Sequence, residues 1–211
     1  MSNNWVTYNF KPENKTVLVF IPGYTGGLTV PIIQGLIDFF VQDGRYDVFG
    51  LPLAYAQDIP DGYHQSQKDI VTSVNDFVSA HPEKKIVIIG KSLGGSLCLH
   101  NMNTLAVSGM IVLGSSVVLG WPQRISLLSN QNAEIPDYKS EWQTSFEQIN
   151  TPVCIISGEK DDLSDNIFLE SIANKDFDPN PLFPFPHFSK KEMGYFLCLS
   201  MREMHHRQLS L

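Results

Sequence analysis

Gly90-Lys91-Ser92-Leu93-Gly94 follows directly on the apolar run Lys85-Ile86-Val87-Ile88-Ile89 and leads into Gly95-Ser96-Leu97-Cys98-Leu99. A β-branched run, a G-x-S-x-G turn and a small-then-apolar stretch read as strand, sharp turn and packed helix. A serine at the apex of such a turn is held in a strained backbone that lifts its hydroxyl above the sheet. Glycines on either side of it answer a lack of room, since a Cβ there would meet the neighbouring strand or helix. The pentapeptide alone recurs by chance; its strand before and third glycine after make it specific. Phosphate-binding turns of the G-x-G-x-x-G or G-x-x-x-x-G-K-[ST] kind would explain a serine here differently, and neither pattern is present. Ser92 is therefore the candidate nucleophile.

The composition is that of an ordinary globular protein, with 43% hydrophobic and 18% charged residues in 211. That length suits one domain, 1–211, able to bury a sizeable core. A formal charge of −7 without a basic cluster argues against nucleic acid or an anionic membrane surface as partner. The three cysteines, Cys98, Cys154 and Cys198, each lie in an apolar run and read as buried reduced thiols. No signal pattern opens the chain, and no run approaches the roughly 18 apolar residues that span a bilayer. A cytoplasmic protein is the expectation. Oligomeric state leaves no mark in the sequence.

Around the central turn, strands and helices alternate. Trp5–Phe10 reads as a short strand and Thr16–Ile21 as one buried on both faces. Pro22-Gly23-Tyr24-Thr25-Gly26-Gly27 is a glycine-rich loop. Ile32, Ile33, Leu36, Ile37 and Phe40 recur at helical spacing behind Pro31. Tyr46–Leu51 is a strand, Pro52–Gly62 a loop, and Ile70, Val71, Val74, Phe77 and Val78 a helical stripe that His81-Pro82 closes. Gly109–Leu113 and Pro152–Ile156 are strands. Residues 117–150 are weakly patterned, a small cap or an irregular crossover. Ile167 and Ile172 suggest a helix, Leu182–Phe185 a short strand, and Met193, Phe196, Leu197 and Met201 a last amphipathic helix. This alternation implies an α/β fold: a mostly parallel sheet with helices on both faces, whose ligands sit beyond the carboxyl ends of the strands.

A serine hydroxyl needs a base, a group to orient that base, and donors for a developing oxyanion. Each requirement has a candidate at a strand's carboxyl end. Gly158-Glu159-Lys160-Asp161-Asp162 supplies a carboxylate turn after Ile156, and Pro186-His187-Phe188 supplies an imidazole. The loop after Ile21 offers backbone N–H groups, from Tyr24 or Thr25, to act with that of Leu93. Asp162 and Asp165 compete with Asp161. Among the other histidines His64 is the serious rival to His187, because its loop follows a strand. His81 lies at the opposite end of the sheet, His100 sits mid-helix, and His205 and His206 fall in a terminal tail. Lys91 reads as a solvated or locally paired lysine.

With these residues in view, the chain resembles a small α/β-hydrolase, from about Thr16 to Met204. That family orders its residues serine, acid, histidine, which the resemblance carries onto Ser92, Asp161 and His187. Its G-x-x-D turn matches Gly158–Asp161, and its oxyanion loop matches Pro22-Gly23-Tyr24, with Pro22 where the family commonly has histidine. Lys91 stands where histidine is frequent, and Pro186 where glycine is usual. The resemblance implies a serine esterase or thioesterase acting on a small-molecule acyl substrate, with no metal or organic cofactor. Acyl transfer by the same residues, or a binding protein that keeps the fold without the chemistry, are the other readings.

Overall fold

The computed structural model describes residues 5–24, 27–53, 61–114, 151–156, 196–199 and 206–207. Among these, eight strands form one sheet: β1 (Val6–Asn9), β2 (Thr16–Ile21), β3 (Asp47–Gly50), β4 (Lys85–Lys91), β5 (Gly109–Leu113), β6 (Val153–Ile156), β7 (Phe196–Leu199) and β8 (His206–Arg207). Their spatial order is β1-β3-β2-β4-β5-β6-β7-β8. The run β3-β2-β4-β5-β6 is parallel, and β1, β7 and β8 close its edges in antiparallel register.

The helices are α1 (Pro31–Asp43), α2 (Asp61–Ala80) and α3 (Leu93–His100). Pro31 begins α1 at a position whose N–H would have no intrahelical partner. Gly44 ends it in the left-handed region at φ 70°, its N–H donating to the Phe40 carbonyl at 3.2 Å. Right-handed crossovers fix which face each helix covers. The connection β2-α1-β3 runs one way along the sheet, whereas β3-α2-β4 and β4-α3-β5 run the other. Accordingly α1 lies on one face, with Phe40 against Phe20, and α2 on the opposite one, with Phe77 against Phe49.

Val17, Val19, Phe20 and Ile21 of β2, Ile88 and Ile89 of β4, and Met110 and Val112 of β5 are buried, as continuous apolar runs in a doubly covered sheet should be. Each such side chain contributes about 1.5–3 kcal/mol relative to exposure. The core is therefore centred on the strands flanking the G-x-S-x-G turn.

Three expectations change. Phe196 and Leu197 belong to strand β7, not to a helix; Cys154 pairs in register with Cys198 and Ile156 with Phe196. A short apolar run has no period long enough to separate helix from strand, and the free edge of β6 decided the matter. His206 likewise lies in β8 opposite Leu197 rather than in a loose tail. His100 is the last residue of α3 rather than mid-helix. The predicted helix at Ile167 and Ile172, the strand at Leu182–Phe185 and the cap at 117–150 lie outside the described residues.

Candidate active site

In the parallel sheet the chain leaves β2 toward β3 on one side and later passes to β4 on the other. The carboxyl ends of β2 and β4 thus flank the point where connections diverge, the place where such sheets open a crevice. The loop Pro22-Gly23-Tyr24 leaves β2 there, and Ser92 follows β4.

Ser92 has φ 49° and ψ −122°, and it is the non-glycine residue with positive φ among the described residues. A backbone of this kind costs on the order of 1–3 kcal/mol and persists only when its surroundings over-determine it. Two attachments do so. The Ser92 N–H donates to the Leu113 carbonyl at the end of β5 at 2.9 Å. Its own carbonyl accepts from the Ser96 N–H at 2.9 Å and from Ser96 Oγ at 3.2 Å, which ties the turn to the first turn of α3.

Close approach of α3 to β4 makes the geometry possible. A Cβ on Gly90 would lie 2.7 Å from the Gly95 Cα, and one on Gly95 would lie 2.8 Å from the Gly90 carbonyl oxygen. Both contacts are with backbone, so neither can relax by turning a side chain. The third glycine of the motif is thus as necessary as the first. Every residue of α3 from Leu93 to Leu99 is buried. Within it, burial pushes the Cys98 thiol well up from its usual range, leaving a packing residue rather than a nucleophile.

The β2 loop closes on the same point. A Cβ on Gly23 would stand 3.0 Å from the Ser92 Cβ, 3.3 Å from the Lys91 carbonyl oxygen and 3.6 Å from the Lys91 ammonium nitrogen. Only glycine leaves that space open. Leu93 is the first residue of α3, and its N–H has no carbonyl partner within the helix. Tyr24, the next residue of the loop, is 37% exposed.

The structure therefore brings together Ser92, Leu93 and the Pro22–Tyr24 loop. Thr25, Asp161 and His187 lie outside the described residues, as do Asp162 and Asp165. His64 lies in helix α2 rather than in the loop expected after β3, a fourth change from the sequence reading, and its side chain is outside the described residues. His81 stacks on Phe77 with ring centroids 4.3 Å apart, and its Nδ1 lies 2.8 Å from the Phe77 carbonyl oxygen. It sits just before β4 begins, across the sheet from Ser92. Among the described residues no group of three or more His, Cys, Asp or Glu side chains is arranged to hold a metal. No helix among them is long and apolar enough to cross a membrane.

Lys91 is the side chain whose position the linear pattern did not convey. Period-two alternation would have found it: Gly90 faces α3, so Lys91 faces the other side, where the β2 loop lies.

A strained serine after a central parallel strand, backed by a glycine-lined helix and faced by a glycine loop, defines an α/β-hydrolase elbow. The chain belongs to that family: the profile described as "Alpha/beta hydrolase domain" matches residues 54–178. Solved structures agree in fold. An esterase of Pyrococcus furiosus superposes with a TM-score of 0.57 at 17% identity, covering 75% of this chain and 68% of the esterase. MenH from S. aureus gives 0.52 at 16% identity, over 81% and 83% of the two chains. A protein of Thermoplasma acidophilum described as a predicted CIB-like hydrolase gives 0.52 at 16% identity, over 77% and 71%. No curated protein matches the chain.

Proposed function

We propose that this protein is a cytoplasmic serine hydrolase that cleaves a carboxylic ester or thioester through an acyl-enzyme on Ser92. The observation that supports it most is the backbone of Ser92 at φ 49°, held from both sides with the Gly23 loop against its Cβ. Strain of this kind costs on the order of 1–3 kcal/mol and clusters at sites where a side chain is presented for function, which supports a nucleophilic Ser92.

In this reading His187 takes the Ser92 proton as Oγ forms its bond to the acyl carbon, and the carbonyl π pair moves onto oxygen. Asp161 fixes the imidazole tautomer and stabilises the imidazolium without taking the proton. The oxyanion is met by the Leu93 N–H and by one N–H from Tyr24 or Thr25. The pair returns, the bond to the alcohol or thiol leaving group breaks, and His187 gives that group its proton. Water, deprotonated by the same histidine, then releases the acid and restores Ser92. The step asks for nothing beyond water and the substrate.

A fluorophosphonate probe should label the folded protein at Ser92, located by peptide mass spectrometry. Ser92→Ala should lose both the label and at least about 10³-fold of the activity on p-nitrophenyl butyrate. An intact protein that resists the probe, with ester cleavage untouched by Ser92→Ala, overturns the reading.

A further inference from the structure

Lys91 ends β4, and its ammonium nitrogen lies 3.6 Å from the position a Gly23 Cβ would take, while the Ser92 Cβ lies 3.0 Å from that same position. One point on the β2 loop is therefore within contact range of both the cation and the seryl carbon. Lys91 is half-buried. Among the described residues the ion pairs are Arg45 with Asp43 and Lys84 with Asp47, and neither takes in Lys91. Its direction is fixed by the strand: Gly90 turns toward Gly95 of α3, so the next residue turns toward the loop.

Resting on the serine-hydrolase reading above, we propose that the charge of Lys91 stabilises the tetrahedral oxyanion formed on the Ser92 adduct. When Ser92 Oγ bonds to the acyl carbon, the carbonyl oxygen gains a full negative charge, and it loses that charge as the leaving group departs. Lys91 exchanges no proton and forms no bond. A cation already held beside the oxyanion loop lowers the energy of the charged state without reorganising during the step, and does little for the neutral ester. The missing side chain of Gly23 has a second consequence here. It lets the loop approach Ser92, and it lets the charge reach the loop.

The test compares Lys91→Met, which keeps the aliphatic stem, with Lys91→Arg and Lys91→Glu in the full chain. Lys91→Gln serves as the neutral variant if the methionine protein does not fold. The probe substrate is p-nitrophenyl butyrate, which is uncharged. Lys91→Met should lower kcat roughly tenfold while KM stays within about twofold, because the charge acts on the transition state only. Lys91→Arg should restore most of the loss, and Lys91→Glu should fall below Lys91→Met, all three melting close to the parent. The inference is overturned if the neutral variant keeps the parental kcat, if arginine falls as far as methionine, or if KM moves in place of kcat. Fluorophosphonate labelling of the parent separates the two levels. An unlabelled, inactive parent sinks the hydrolase reading and this one with it; a labelled, active parent indifferent to the charge at 91 sinks this one alone.

Discussion

A lysine at each end of the parallel sheet stands in contrasting surroundings. At the amino ends of the strands, Lys84 has a side chain only 3% exposed and is paired with fully buried Asp47. Asp47 also accepts from the Lys11 N–H at 2.8 Å and from Asn14 Nδ2 at 3.0 Å. The Lys84 ammonium lies 4.5 Å over the Phe10 ring and contacts the Lys11 carbonyl at 3.4 Å. The starts of β2, β3 and β4 are thus tied into one satisfied network. At the carboxyl ends, Lys91 lies half-buried beside a strained serine and a glycine loop. A buried charge with its full set of partners is a fastener. Lys91 instead borders a strained backbone and a glycine loop, with no ion-pair partner among the described residues.

The largest expected effect lies at the fastened end. Asp47→Ala removes the partner of a buried ammonium and of two further donors, and should cost about 3–5 kcal/mol in urea unfolding. Asp47→Leu combined with Lys84→Met should recover most of that loss. If the single variant costs no more than a surface change, the contrast between the two ends collapses.

At the other end, Gly95→Ala should cost about 1–3 kcal/mol, since its Cβ meets the Gly90 carbonyl oxygen at 2.8 Å and Val112 Cγ1 at 2.9 Å. Because relief comes from moving α3 away from β4, esterase activity should fall with stability. A stable, fully active alanine variant would show that the close approach is not what holds Ser92 in place.

The smallest effect has the opposite sign. Ser92→Gly should raise stability by about 1 kcal/mol, the relief of the positive-φ backbone less the added chain entropy of glycine, while abolishing ester cleavage. Thermal or urea unfolding of this variant reads the strain directly. A loss of stability would mean that the serine backbone is not strained.

A feature is legible in the sequence where its physical pattern is local. The strand-turn-helix about Ser92 was legible because β-branched residues, G-x-S-x-G and a third glycine each restrict the backbone within a few positions. So were α1 and the stripe of α2, whose apolar spacing exceeds two turns. The last apolar stretch is ambiguous in the sequence because Phe196, Leu197 and their neighbours fit either period, and only pairing with β6 chooses between them. Asp47 has no local signature as a charge at the start of a strand, since its partners Asn14 and Lys84 lie 33 and 37 residues away in the chain.

Local residue pattern was enough to place a serine at a strained turn after a central strand, in a sheet covered on both faces. Those features depend on residue type and on neighbours within one or two turns of chain. That Gly23 meets Ser92 and that the Lys84 ammonium meets Asp47 follow only from the packed sheet. Each depends on strands lying side by side in the order β3-β2-β4, and adjacency across the sheet is a property of the packed core rather than of any one segment.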